Sequence, residues 1–176
     1  MQIHEYEYVT RAEYSPVQKD VEAIIRKAQR IMKEKYDFHF SYELIGSGKK
    51  HLITRKKNSN TGYDFDYNLI IDPLENGYRY VAKKVNELFR LAFNEACKDS
   101  RFKCPEDSTS VLTLKCVDRK NKRIKYSFDI AIIYYASDDL DDGYYYLKNW
   151  KNGGYSFVFR TVSYTHLRAH ETCADL

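Results

Sequence analysis

The sequence has no CxxC pair: its four cysteines, Cys97, Cys104, Cys116 and Cys173, stand apart, and no His lies at zinc-finger spacing. This argues against a metal–thiolate site and leaves the cysteines as small core residues of a reducing compartment. No apolar run approaches the ~20 residues that span a bilayer. The opening segment, MQIHEYEYVTRAEYSP, is polar and charged rather than secretory. The expectation is therefore a cytoplasmic protein with no membrane partner. A strong charge imbalance is missing too, since 29 Lys and Arg against 25 Asp and Glu leave a net +4. That suits a local phosphate pocket better than a long nucleic-acid groove. The acidic stretch SDDLDDG, residues 137–143, lacks the alternating ligand spacing and closing Glu of a calcium loop, so it reads as solvated.

What the chain does have is enough apolar material for one domain with a core: 43% of 176 residues. Tyrosine is abundant, at 17 residues. Tyrosine favours strands and half-buried surfaces, and among Lys and Arg it can also stack on bases. In chain order, residues 1–14 read as an extended arm. Ser15-Pro16 reads as an N-cap and first helical residue, followed by Val17, Val21, Ile24, Ile25, Ala28, Ile31 and Met32 at helical spacing, which predicts a helix over 16–35. Alternation over 38–45 predicts a strand ending at Gly46-Ser47-Gly48. Residues 49–62 read as a basic loop with one helical turn near His51. Residues 63–71 read as a second strand, stopped by Asp72-Pro73, with a turn at Gly77. An amphipathic helix follows from Tyr80 to Cys97. Two further strands, 111–116 and 124–135, join as a hairpin across Asp118–Lys122, and a short strand spans Tyr155–Arg160. Residues 144–150 carry no clear pattern. The expected fold is α+β: a mixed sheet of about five strands with two long helices on one face.

The chemistry-bearing residues concentrate in 44–71. Asp64 and Asp66 are two apart in a strand, so they project from the same face while Phe65 and Tyr67 take the other. Paired carboxylates repel and are best explained by a cation between them. Hard oxygen ligands suit Mg²⁺, with Mn²⁺ as a substitute. The glycine turn offers backbone N–H groups to phosphate. Lys49 and Lys50 after it, with Arg55, Lys56 and Lys57, are either solvated or in contact with phosphate. Asp129 sits in the apolar middle of a strand, where an unpaired charge is costly, and is the third candidate metal ligand.

Gly46-Ser47, then Asp64-Phe65-Asp66, then Asp129 on a later strand, resembles the DNA polymerase beta-like nucleotidyltransferase superfamily. That superfamily includes CCA-adding and poly(A) polymerases, oligoadenylate synthases and bacterial cyclic-oligonucleotide synthases. The order of elements matches over roughly residues 15–135, and the gap from Ser47 to Asp64 is longer than in compact members. The resemblance implies a two-metal, Mg²⁺-dependent transferase that moves a nucleoside monophosphate from a nucleoside triphosphate such as ATP to an acceptor hydroxyl, releasing pyrophosphate. Asp64, Asp66 and Asp129 would be its catalytic metal ligands. Gly46 and Ser47 would bind the triphosphate; Gly48 and the Lys pair after it differ from many members, and Lys49 and Lys50 are candidate phosphate contacts by their charge and position. The acceptor (nucleotide, RNA, protein or small molecule) is left open. The alternative is a non-catalytic nucleotide-binding or regulatory module on the same fold.

Residues 162–172, VSYTHLRAHET, have no apolar period. They resemble the translation of a transposase-type sequencing adapter, as found at the ends of interrupted metagenomic reading frames. The expected organisation is a C-terminally truncated bacterial catalytic core over 1–161 and an adapter-derived tail over 162–176. No function is assigned to His166, His170 or Cys173.

Overall fold

The computed structural model describes residues 5–57, 59–60, 62–74, 79–103, 106–107, 111–137, 139–150 and 152–161. The predicted tail, 162–176, and the turn at Gly77 lie outside the described residues. The strands are β1 (Tyr6–Tyr8), β2 (Phe40–Ile45), β3 (Thr54–Lys56), β4 (Tyr63–Ile71), β5 (Glu106–Asp107), β6 (Leu112–Asp118), β7 (Arg123–Tyr135), β8 (Tyr144–Trp150) and β9 (Gly154–Arg160). The α-helices are α1 (Arg11–Tyr36), the single turn α2 (Gly46–Lys49) and α3 (Ala82–Cys97). The main sheet has seven strands, in the order β2-β4-β7-β6-β5, with β8 on β7 and β9 on β8. β4 and β7 run parallel, and the other pairs in this sheet are antiparallel. β7 is long enough to pair with β6 over its first part and with β8 at its end.

The α+β expectation holds, with more strands than the five expected. Alternation in β4 explains how the sheet acquires two unlike faces. Tyr63, Phe65, Tyr67, Leu69 and Ile71 are buried, while Asp64, Asp66, Asn68 and Ile70 are more open. The apolar face meets the helices: Phe65 contacts Tyr14 of α1 edge-on, and Phe40 of β2 contacts Phe89 of α3 with ring centroids 5.0 Å apart. α1 and α3 pack against each other. β4 runs over 63–71 as read from the sequence, and α3 and β7 differ from the reading by one or two residues.

Three expectations need correction. The 1–14 arm is only partly extended: β1 pairs antiparallel with β3, Glu7 facing Arg55 across the pair at 2.6 Å, and residues from Arg11 on are helical. The first helix begins at Arg11, not at Pro16. Thr10 C=O accepts from the N–H groups of Glu13 and Tyr14, starting the helix a turn early, and this buries Tyr14 against the sheet. Pro16 has no N–H to donate to Ala12 C=O, a loss tolerated near a helix start. The helical turn placed near His51 is instead formed by Gly46–Lys49, and the rest of the basic loop contains β3. Residues 144–150, which carry no clear pattern in sequence, form β8, held on both edges by β7 and β9. Among the described residues no helix is long and apolar enough to cross a membrane.

Phe65 has no exposed surface and packs on Tyr14 and Tyr63. Phe65→Ala is expected to destabilise the fold by about 3–5 kcal/mol, the usual cost of deleting a buried aromatic ring. Urea unfolding followed by far-UV circular dichroism measures it; a loss below ~1 kcal/mol would place Phe65 outside the core.

Candidate active site

The open face of the sheet gathers the residues the sequence singled out. Parallel pairing of β4 with β7 puts Asp66 directly opposite Asp129, and Asp64 directly opposite Ser127. β6 continues both rows, with Thr113 opposite Asp129 and Lys115 opposite Ser127. On the other side, Ile45, the last residue of β2, is opposite Asp66, so the chain turns into Gly46 beside that carboxylate. One row therefore runs from the glycine turn through Asp66 and Asp129 to Thr113. The next holds Asp64, Ser127 and Lys115.

Gly46 is required by geometry. Its φ of +62° lies in the left-handed region, and a Cβ there would stand 3.0 Å from Asp66 Oδ2. The turn of α2 that follows leaves Ser47, Lys49 and Lys50 exposed and closes when Leu52 N–H donates to Ser47 C=O at 3.0 Å. Tyr14 Oη and His51 Nδ1 lie at hydrogen-bond distance, 3.1 Å, tying the end of the loop to α1. Within the basic segment, Arg55 is taken by Glu7 and Glu13, and Lys57 by Glu5. Lys49 and Lys50 are the basic residues next to the glycine turn.

The three carboxylates have different surroundings. Asp64 is exposed and accepts a hydrogen bond from the Ser127 hydroxyl. Asp129 is half-buried and accepts from Thr113 Oγ1 at 2.6 Å. Its proton affinity is raised by burial; the Thr113 bond and Lys115 oppose this, and the charge of Asp64 adds to it. Asp66 is half-buried and is raised by burial first, then by the charges of Asp129 and Asp64. Among the described residues it has neither an ion-pair partner nor a hydrogen-bond donor. The carboxylates share a face, but among the described residues no three His, Cys, Asp or Glu side chains are already drawn around one point as metal ligands. An unpartnered half-buried carboxylate between two others nonetheless fits a divalent cation, the charge that would relieve all three.

Sequence reasoning missed the hydroxyl groups of Ser127 and Thr113, which hold two of the three carboxylates. It also passed over Glu43, one row from Asp66, which accepts from Asn68 Nδ2 at 3.0 Å. Strand register alone reveals these contacts.

Neither a family model nor a curated protein sequence matches the chain. Solved structures do. The Vibrio cholerae cyclic AMP-GMP synthase DncV, in complex with the linear intermediate 5′-pppA(3′,5′)pG, superposes with a TM-score of 0.63 at 8% identity, over 94% of this chain and 57% of that one. The Bradyrhizobium diazoefficiens CD-NTase CdnG, in complex with GTP, gives 0.57 at 13% identity, over 88% of this chain and 40% of that one. DncV with nonhydrolyzable GTP gives 0.58 at 11% identity, over 90% and 41%. The chain thus shares the fold of these proteins and spans between two-fifths and three-fifths of their length.

Removing the charge of Asp66 relieves burial and repulsion together. Asp66 carries a raised proton affinity in the folded state, so it opposes folding once pH exceeds the ordinary carboxylate range and loses that effect on acidification. Asp66→Asn is therefore expected to raise the melting temperature of metal-free protein at pH 7, by roughly 2–4 °C for each kcal/mol relieved, with the gain shrinking toward pH 4. Mg²⁺ should stabilise the unmutated protein and leave the variant unmoved. Differential scanning calorimetry with EDTA and with Mg²⁺ tests this; a variant less stable at pH 7 than at pH 4, relative to the parent, would contradict it.

Proposed function

We propose that the chain is the catalytic core of a metal-dependent nucleotidyltransferase that transfers a nucleoside monophosphate from a nucleoside triphosphate to an acceptor hydroxyl. The carrying observation is the row Gly46–Asp66–Asp129 on the uncovered face, with Asp66 left without a partner. The fold shared with nucleotide-bound synthases supports the same reading.

Asp64, Asp66 and Asp129 would hold Mg²⁺ or Mn²⁺. When bound, such ions neutralise the phosphates and favour ionisation of the acceptor hydroxyl. Ser47 and the backbone after Gly46 bind the β- and γ-phosphates, with Lys49 and Lys50 completing the charge balance at the end of the turn. Ser127 and Thr113 keep Asp64 and Asp129 turned toward the open face. The acceptor oxygen bonds to the α-phosphorus as the bond from that phosphorus to the β-phosphate oxygen breaks. The acceptor proton is lost and pyrophosphate departs. Rate comes from positioning and charge neutralisation, with no protein nucleophile. The resemblance to a synthase bound to a 3′,5′-linked intermediate favours a ribose hydroxyl of a second nucleotide as acceptor.

The test is incubation of the protein with α-³²P-labelled nucleoside triphosphates and Mg²⁺, followed by phosphatase and chromatography. A phosphatase-resistant labelled product is expected, reduced at least about 100-fold in Asp64→Ala/Asp66→Ala, the scale of losing a principal electrostatic contact. Equal labelling by the variant would overturn the metal assignment. Mg²⁺-dependent nucleotide binding without turnover would favour the binding-module alternative.

A further inference from the structure

A cavity of about 610 Å³ opens at the end of the sheet where β4 and β7 begin, away from the carboxylate rows. Its floor is Tyr63 and Tyr126, both buried on the helix-facing side, with ring centroids 5.7 Å apart. Val17 of α1 contributes an apolar wall. The rim is cationic. Arg55, Lys56 and Lys57 reach it from β3 and its end, and Arg123 and Lys125 from the start of β7, against two lining carboxylates, Glu7 and Glu13.

The pairing of these charges decides the chemistry. Arg55 takes both Glu7 and Glu13, and Lys57 is held by Glu5 at 2.7 Å. Arg123 stands 3.8 Å from Asp118 with about half of its side chain exposed. Among the described residues Lys56 has no carboxylate partner and Lys125 makes no ion pair, its charge acting on Asp118 at longer range. The cavity lining thus carries more positive than negative charge above an aromatic floor, at a volume typical of small-molecule sites. No lining carboxylate is free to hold a cation.

We propose that this cavity binds a phosphorylated small molecule with an aromatic or heterocyclic body, at a site separate from the Asp64–Asp66–Asp129 face. Lys56 and Lys125 bind the phosphate, and the body lies over Tyr63 and Tyr126. A long nucleic acid is disfavoured, since the net charge is only +4 and the cations ring a concave pocket rather than forming a stripe. Because no metal is needed, binding here persists when divalent ions are removed, unlike binding at the carboxylate face.

The experiment is a fluorescence titration of the full chain with N-methylanthraniloyl-ATP in EDTA, with inorganic triphosphate as competitor. Saturable binding is expected, displaced by triphosphate, unchanged in Asp66→Asn and weakened at least tenfold in Lys56→Glu/Lys125→Glu. Lys125 is exposed and Lys56 half-buried, and circular dichroism checks that the double variant is folded; Lys125→Ala serves if it is not, with a smaller loss in the same direction. Absence of binding in EDTA, or equal affinity in the charge-reversed protein, would overturn the proposal. So would stronger displacement of the probe by a single-stranded oligoribonucleotide than by ATP. Binding that appears only with Mg²⁺ and vanishes in Asp66→Asn would sink this site while leaving the nucleotidyltransferase reading intact.

Discussion

The parallel pairing of β4 with β7 is the constraint on which the rest of the structure depends. Neighbouring strands lie about 4.8 Å apart, and the register sets Asp66 opposite Asp129 at that spacing. Two like charges held there, both half-buried, are costly in any protein without compensation. A slip of one residue would turn Phe65 out and both β4 carboxylates into the core. The apolar face therefore enforces the carboxylate face: Phe65, Tyr67 and Leu69 are buried almost completely, and a one-residue slip would expose all three.

Compensation is distributed unevenly, and that unevenness carries chemical information. Asp64 has the hydroxyl of Ser127, and Asp129 has that of Thr113 and the nearby charge of Lys115. Asp66, at the centre and against Gly46, has none of these. Had the three acids been structural, the central one would be the first expected to carry an arginine or lysine. The chain has cations to spare and places them elsewhere: Arg55 on Glu7 and Glu13, Lys35 on Glu95 at 2.7 Å, Arg101 on Asp20. Basic residues thus brace β1–β3, α1 and α3, while among the described residues none pairs with Asp66 at the centre of the open face.

How much of this was legible in the sequence depends on the range of the interaction. β4 was readable from 63 to 71 because strict alternation and Asp72-Pro73 mark it locally, and the shared face of Asp64 and Asp66 follows from the same period. The facing of Asp66 and Asp129 required a parallel pairing of strands more than fifty residues apart, which no local pattern encodes; only resemblance to a known order of elements suggested it. Thr113 was hidden for a different reason. The β6–β7 pairing shifts by one residue between Cys116 and Val117. Extended from Asp118–Arg123 without that bulge, it would set Asp129 opposite Leu112, on the wrong face. The helix start failed because Ser15-Pro16 is a good local signal overruled by burial of Tyr14. β8 was unreadable because Tyr144–Trp150 gains its strand character from pairing on both edges.

The two faces of β4 carry different burdens. At its start, Tyr63 and Asp64 are adjacent residues on opposite faces, one flooring the cationic cavity and the other facing Ser127. A rigid strand transmits position between such faces well, because moving one side chain's backbone moves its neighbour's. An occupant pressing on Tyr63 and Tyr126 would bear on the same two strands that align Asp64 with Ser127 and, two residues on, Asp66 with Asp129. The cavity and the carboxylate rows are therefore chemically separate, one cationic and one anionic, yet mechanically joined through the β4–β7 pair. Any ligand that stiffens that pair from the helix side would fix the spacing of the carboxylates on the other.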